Sequence, residues 1–247
     1  MTEAHVEEAS RHIPESIKRE VRQRCRFGCI ICGTPVYHYD HIEEFSIVNE
    51  HKAENIALLC PTHHQDKTSK RVPTDVVKKH NDNPFNSSAN FTKSHTWYFC
   101  GDVCQFDIGG NVFTYNFRNL SNRFDAIVIG GESLIGFELE DGVLLLNMSI
   151  RDVDGVPLLE VLRGELILST AVQDIKMVGT VLEIVPANNL PTIKISKKEN
   201  GIDLHQGIFI GRTGAVQAFP DRVEIHPGRM TMAGCGMHNC QVGLAIN

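Results

Sequence analysis

Residues 24–70 concentrate side chains that can bind a metal ion or transfer a proton. The cysteine, histidine and aspartate residues of this short segment are Cys25, Cys29, Cys32, His38, Asp40, His41, His51, Cys60, His63, His64 and Asp66. A chain of ordinary composition does not place so many such groups together by chance. Whatever this chain folds into, these side chains constrain it more than any other part of the sequence.

Two pairs in this segment have the spacing of metal ligands. Cys29 and Cys32 form a C-x-x-C pair, and Cys60 and His63 form a C-x-x-H pair. Structural zinc sites commonly take four such ligands from two turns, in tetrahedral geometry. In a reducing compartment this spacing favours metal binding over disulfides. We therefore predict a structural Zn²⁺ site, whose binding free energy would help a small region to fold.

A second group, Asp40, His41, Asn55 and His64, predicts chemistry. Hydrolysis of a phosphodiester needs a base to deprotonate water and a cation to stabilise the departing oxygen. His41 is suited to be the base, and Asp40 and His64 can hold one divalent ion. Neighbours on a strand point to opposite faces, so we expect the strand to end, bulge or twist at Asp40 and His41.

These motifs, Asp40-His-Ile, Asn55-Ile-Ala-Leu-Leu-Cys and His63-His-Gln-Asp-Lys67, resemble the HNH endonuclease family over residues 24–70. The resemblance implies a ββα-metal fold of the zinc-knuckle type and catalysis with Mg²⁺ or Mn²⁺. It also implies that Asn55 steadies the loop carrying the base. Relatives usually have a cysteine where this chain has His63, so the division of roles between His63 and His64 stays open.

Changes in composition and hydrophobic pattern along the chain indicate two domains. We expect a flexible lead-in over residues 1–12, an α+β nuclease domain over 13–80 and a linker rich in Asn and Ser over 81–95. Short β-rich runs separated by turn residues follow, beginning near residues 111–117 and ending near 241–246. This pattern predicts an all-β domain over residues 96–247, built as a sandwich, barrel or solenoid.

Charge places nucleic-acid binding in the first part of the chain. Residues 1–95 hold equal numbers of basic and acidic side chains, so the rest of the chain accounts for the whole net charge of -6. Basic side chains near the proposed site are the candidates for phosphate contacts: Arg22, Arg24, Lys67 and Lys70. The sequence leaves open whether His38 and His51 touch the site.

The sequence therefore predicts a metal-dependent DNA endonuclease that acts on double-stranded DNA, with a β domain that controls targeting, activation or oligomerisation. An activating ligand, a partner protein or homo-oligomerisation are compatible with that arrangement, as is a role in antiviral defence. The absence of long apolar runs and the acidic, polar N-terminus predict a cytoplasmic protein without membrane contact. The alternatives are a non-catalytic zinc-knuckle module that binds nucleic acid and an assembly protein with a vestigial nuclease fold.

Overall fold

The computed structural model describes residues 12–187, 189–228 and 230–247. The chain divides into two compact units, the first ending at Lys93 and the second comprising Ser94–Asn247. The predicted lead-in lies outside the described residues, except for His12.

The first unit combines short helices with one two-stranded sheet. Its α-helices and strands are α1 (Glu15–Arg24), β1 (His38–His41), α2 (Phe45–Val48), β2 (Ile56–Leu59), α3 (Pro61–Thr68) and α4 (Thr74–Asp82). Two 3-10 helices, Ala53–Asn55 and Phe85–Ser88, complete it.

Strands β1 and β2 with helix α3 form a ββα arrangement. The strands pair antiparallel in a continuous register, with Asp40 opposite Ala57 and His41 opposite Ile56. The strand ends at His41, which is one of the three outcomes expected from the sequence. Pro61 starts α3 directly after β2, where its missing N–H costs no hydrogen bond.

The core of the first unit lies around β2. All four β2 side chains are fully buried, and both α1 and α3 pack against this strand. Val21 from α1 and Val77 from α4 are also fully buried in this core. An apolar strand without alternation is expected where both faces are covered.

The segment predicted as a linker contains ordered structure that packs on the first unit. It begins within α4, includes the second 3-10 helix and buries Asn86, which is 1% exposed. The Asn86 side-chain amide donates to the carbonyls of Arg26 and Gly33, each at 3.1 Å. One asparagine of this Asn- and Ser-rich segment therefore satisfies backbone carbonyls near Cys29 and Cys32, which composition alone does not reveal.

The second unit is built of β-strands, as predicted, with one short 3-10 helix at Phe117–Asn119, and the strands of its described residues form two open sheets. The strands are β3 (His95–Thr96), β4 (Val103–Ile108), β5 (Asn111–Asn116), β6 (Arg123–Ile129), β7 (Glu132–Glu140), β8 (Val143–Arg151), β9 (Pro157–Leu162), β10 (Glu165–Leu168), β11 (Asp174–Val178), β12 (Val181–Val185), β13 (Ile193–Lys197), β14 (Gly201–Ile210), β15 (Ala215–Phe219), β16 (Arg222–His226), β17 (Met230–Met232), β18 (Gly236–His238) and β19 (Val242–Ile246). The α+β class with a β-rich domain is thereby confirmed.

Antiparallel neighbours dominate both sheets. The first sheet has the order β19-β6-β7-β8-β9-β10-β3, and the second follows the path β11 to β17, with β4, β5 and β18 attached beside β14. Alternating burial, as in the patterns of β5 and β8, puts one face of such a strand into the core. Among the described residues, no helix is both long enough and apolar enough to cross a bilayer.

Candidate metal cluster and active site

Cys29, Cys32, Cys60 and His63 converge into one cluster. Their ligand atoms all lie within 4.8 Å of one another. The Cys32 and Cys60 sulfurs are 3.8 Å apart, and His63 Nδ1 is 3.4 Å from Cys29 Sγ and 3.2 Å from Cys60 Sγ. Two sulfurs bound at about 2.3 Å to one tetrahedral zinc ion lie roughly 3.8 Å apart. The donor set and its spacing therefore fit Zn²⁺.

Local structure prepares these ligands. Cys60 caps the N-terminus of α3, where its sulfur accepts from the backbone N–H of His63 at 3.5 Å. A hydrogen bond from Cys32 lowers the pKa of the Cys29 thiol to about 4, and sharing that proton raises the pKa of Cys32. The thiolate that Cys29 forms readily suits a cation, because the thiolate is the form that binds metal.

Consecutive residues of α3 face different sites. Neighbouring positions on a helix are about 100° apart, so the rings of His63 and His64 point in different directions. His63 joins the cysteines, whereas His64 Nε2 lies 3.4 Å from Asp40 Oδ1. The assignment of His63 to the zinc cluster is confirmed, and the structure places His64 beside Asp40.

Asp40 has two partners on α3. One carboxylate oxygen faces His64, and the other accepts from Lys67 Nζ at 2.5 Å. Lys67 also donates to the backbone carbonyl of His41. Two donors bound at about 2.1 Å in neighbouring positions around an octahedral ion lie roughly 3 Å apart. Asp40 Oδ1 and His64 Nε2 therefore fit two adjacent positions around one divalent ion, and Lys67 fixes the opposite edge of the carboxylate.

The ring of His41 packs against the rings of both Phe45 and His51. His41 Nε2 is 3.0 Å from His51 Nδ1, and Phe45 contacts both rings. Burial lowers the pKa of His41 below its ordinary value of 6.5, His51 acts in the same direction, and Asp40 opposes them. His41 is therefore neutral near pH 7, the state required of a proton acceptor.

Asn55 closes the loop that follows His41. Its side-chain oxygen accepts from the Glu43 N–H at 2.9 Å, and its amide donates to the Glu43 carbonyl at 3.1 Å. The backbone carbonyl of Asn55 also accepts from the Ile42 N–H at 2.8 Å. Asn55 thus holds the backbone at the two residues that follow His41, Ile42 and Glu43.

A cleft of about 560 Å³ opens at the end of β1. Asp40, His41 and Lys67 line it, together with Phe45 on one side and Lys70 on another. Along a regular strand, Asp40 and His41 would point to opposite faces. Both line this cleft because β1 ends at His41. His38 lies outside this lining, and its ring is 5.5 Å from that of His64.

The four predicted phosphate-binding side chains have different surroundings. Arg22 is 2% exposed and donates to Glu15 and to the Tyr39 hydroxyl. Arg24 donates to the carbonyls of Ala53 and Ile56 and to Asn81. Both arginines therefore have hydrogen-bond partners inside the domain, and their assignment to a nucleic-acid surface stays a prediction.

The two predicted lysines also differ from each other. Lys67 is 13% exposed in its ion pair with Asp40, and its predicted contact with phosphate stays a prediction. Lys70 is exposed at the end of α3 and lines the cleft, and it stays a candidate for phosphate contact.

Sequence reasoning missed two features of this site. The contribution of Phe45 was not anticipated, although an aromatic residue four positions after His41 was a visible signal. The partnership of Lys67 with Asp40 joins residues far apart in the chain, and only the helical spacing of Lys67 from His64 hinted at it.

Comparison with known proteins agrees with this geometry. Residues 29–70 match the family model described as HNH endonuclease. No curated protein and no solved structure gives a match to the chain. Residues 29–70 therefore form an HNH endonuclease domain with a zinc-binding cluster of three cysteines and one histidine.

Proposed function

We propose that the chain is a metal-dependent endonuclease that hydrolyses phosphodiester bonds in double-stranded DNA. The observation that carries the proposal is the meeting of Asp40 and His41 at one cleft, with His64 3.4 Å from the Asp40 carboxylate. The family match over the same residues supports it.

His41 takes the proton of the attacking water in this proposal. Its ring is neutral near pH 7, and Asn55 holds the backbone on its C-terminal side. Asp40 and His64 would hold a Mg²⁺ or Mn²⁺ ion, which when bound supplies the positive charge that stabilises the departing oxygen. Lys67 orients the Asp40 carboxylate, and Lys70 contacts a phosphate at the edge of the cleft.

The zinc cluster has a structural role in the proposal. All of its protein ligand positions are filled, which is typical of structural zinc sites and leaves none for substrate. Cys60 and His63 hold the start of α3, the helix that also carries His64 and Lys67. Loss of zinc would therefore displace catalytic side chains without removing them.

The second unit would control targeting, activation or oligomerisation. Its acidic composition disfavours broad contact with DNA, because phosphate binding depends on basic side chains. An activating ligand, a partner protein or self-assembly would each meet that need. Cytoplasmic localisation and a role in antiviral defence stay predictions from the sequence.

One observation favours a second candidate, a non-catalytic module that binds nucleic acid. The ion pair of Lys67 with Asp40 gives that carboxylate a structural partner. In this reading, Asp40 and His41 would stabilise the fold and the zinc cluster would present a binding surface.

Plasmid cleavage by the full chain distinguishes the two candidates. Zinc-loaded wild type, His41→Ala and His80→Ala are compared with Mg²⁺ or Mn²⁺. His80 is the matched control, because it lines a different cavity near Pro84 and Phe85. We expect cleavage by wild type and His80→Ala and loss with His41→Ala. DNA binding without cleavage under any metal or activator would favour the non-catalytic module.

A further inference from the structure

His51 contacts the proposed base directly but has no part in the proposed chemistry. It lies ten residues after His41, in the loop between α2 and β2. Its Nδ1 is 3.0 Å from His41 Nε2, within normal hydrogen-bond distance. The two imidazoles therefore share a direct hydrogen bond, so the ring nitrogen that carries the proton in one depends on which nitrogen carries it in the other.

Phe45 fixes the ring of His51 for this contact. The two rings are stacked, with centroids 4.7 Å apart and an interplanar angle of 17°. Phe45 also lies 5.2 Å from the ring of His41. Three rings therefore pack together at the end of β1, and the orientation of His41 depends on both neighbours.

The contact also determines which nitrogen of His41 is open to water. Nε2 is occupied by His51, so Nδ1 is the nitrogen that remains for a substrate water. A neutral imidazole carries its proton on one nitrogen and accepts at the other. For Nδ1 to accept a proton, the hydrogen of neutral His41 must sit on Nε2 and be donated to His51.

We infer that His51 is a positioning residue for His41, holding its imidazole as the Nε2–H tautomer with Nδ1 directed to the substrate water. His51 accepts through Nδ1 and carries its own hydrogen on Nε2. The inference rests on the proposed nuclease function and specifies how its base is oriented. Another side chain that accepts a hydrogen bond at the position of His51 Nδ1 would hold His41 in the same tautomer.

Two substitutions separate the hydrogen bond from the packing. His51→Phe keeps a ring that can stack on Phe45 but removes the acceptor. His51→Asn loses the ring but places an amide oxygen near the position of Nδ1. If only packing mattered, His51→Phe would be the milder change, whereas the inference predicts the reverse order.

Single-turnover cleavage of a DNA duplex by the full, zinc-loaded chain tests this order. We expect His51→Phe to slow cleavage by about 10- to 100-fold, below the full effect of removing a general base. DNA affinity and zinc content should stay at wild-type values, and His51→Asn should recover most of the rate. In a His41→Ala background, His51→Phe should cause no further loss.

Imidazole nitrogen NMR supplies a readout that does not depend on activity. In the ¹⁵N-histidine-labelled protein we expect His41 as the Nε2–H tautomer in wild type and His51→Asn, and a shift toward the other tautomer in His51→Phe. The inference would be overturned if His51→Phe cleaved DNA at the wild-type rate. It would also be overturned if this substitution left the tautomer of His41 unchanged. If wild type shows no cleavage that depends on His41, the nuclease proposal fails, and the tautomer alone decides the role of His51.

Discussion

Asn86→Ala should destabilise the first unit, although residue 86 lies in a segment whose composition indicated a linker. The Asn86 amide donates to the Arg26 and Gly33 carbonyls at 3.1 Å, and the side chain is 1% exposed. The Gly33 carbonyl keeps a bond from the Lys93 N–H, and Arg26 is an exposed residue, so water can replace the amide at its carbonyl. Neither carbonyl is therefore left buried without a partner, and each lost hydrogen bond costs about 1 kcal/mol. The loss of both bonds should lower the free energy of unfolding by about 2 kcal/mol.

Zinc release during urea denaturation of the full chain measures this effect. A chromogenic chelator reports the cluster in the first unit, and Trp97, the only tryptophan, reports the second. We expect Asn86→Ala to release zinc at lower urea concentration, with the Trp97 transition unchanged. The matched control is Asn90→Ala, since Asn90 is exposed in the same segment. A zinc-release midpoint equal to those of wild type and Asn90→Ala would refute the reasoning.

Four further substitutions test the site. Cys60→Ala removes a zinc ligand and the cap of α3 together, so metal analysis should find the zinc content reduced; full zinc content would contradict the cluster. Asn55→Ala releases both backbone groups of Glu43, so plasmid cleavage should slow about tenfold or more with zinc retained; an unchanged rate would remove Asn55 from the mechanism. Lys67→Met removes the cation from the largely buried Asp40 carboxylate and leaves only His64 beside it, so it should lower stability by about 3 kcal/mol in the zinc-release assay. Lys70→Met should leave the zinc-release midpoint unchanged and reduce the salt dependence of DNA binding, because Lys70 is exposed. Equal zinc-release midpoints for Lys67→Met and Lys70→Met would contradict the different burial of the two lysines.

Ligand spacing made the zinc cluster predictable from the sequence. Cys29 with Cys32 and Cys60 with His63 are pairs only three positions apart, and each pair lies at a turn or a helix start. Local backbone geometry therefore fixes how their side chains converge. The family resemblance extended the same reasoning to Asp40 and His41.

The basic side chains were harder to place, because their partners are distant in the chain. Arg22 reaches Tyr39, and Lys67 reaches Asp40 from 27 positions away. A helical pattern shows that such residues share a face, but long basic side chains can fold inward or extend into solvent. Only tertiary packing decides between these outcomes.

Strand existence in the second unit was predictable, but strand order was not. The run at residues 111–117 became β5 with nearly the expected bounds. In contrast, β4 pairs parallel with β14, and β19 pairs parallel with β6. These pairings join strands about 100 residues apart, so alternation within each strand carries no information about them.

Chemical rescue of His41→Ala tests the central claim most directly. If the imidazole of His41 is the general base, free imidazole entering the open cleft should restore part of the DNA cleavage lost in His41→Ala. Imidazole should give no such recovery for Asp40→Ala, because it cannot replace a carboxylate. The role of His41 as the base would be contradicted if zinc-loaded His41→Ala cleaved DNA at the wild-type rate. It would also be contradicted if added imidazole restored none of the cleavage that His41→Ala loses.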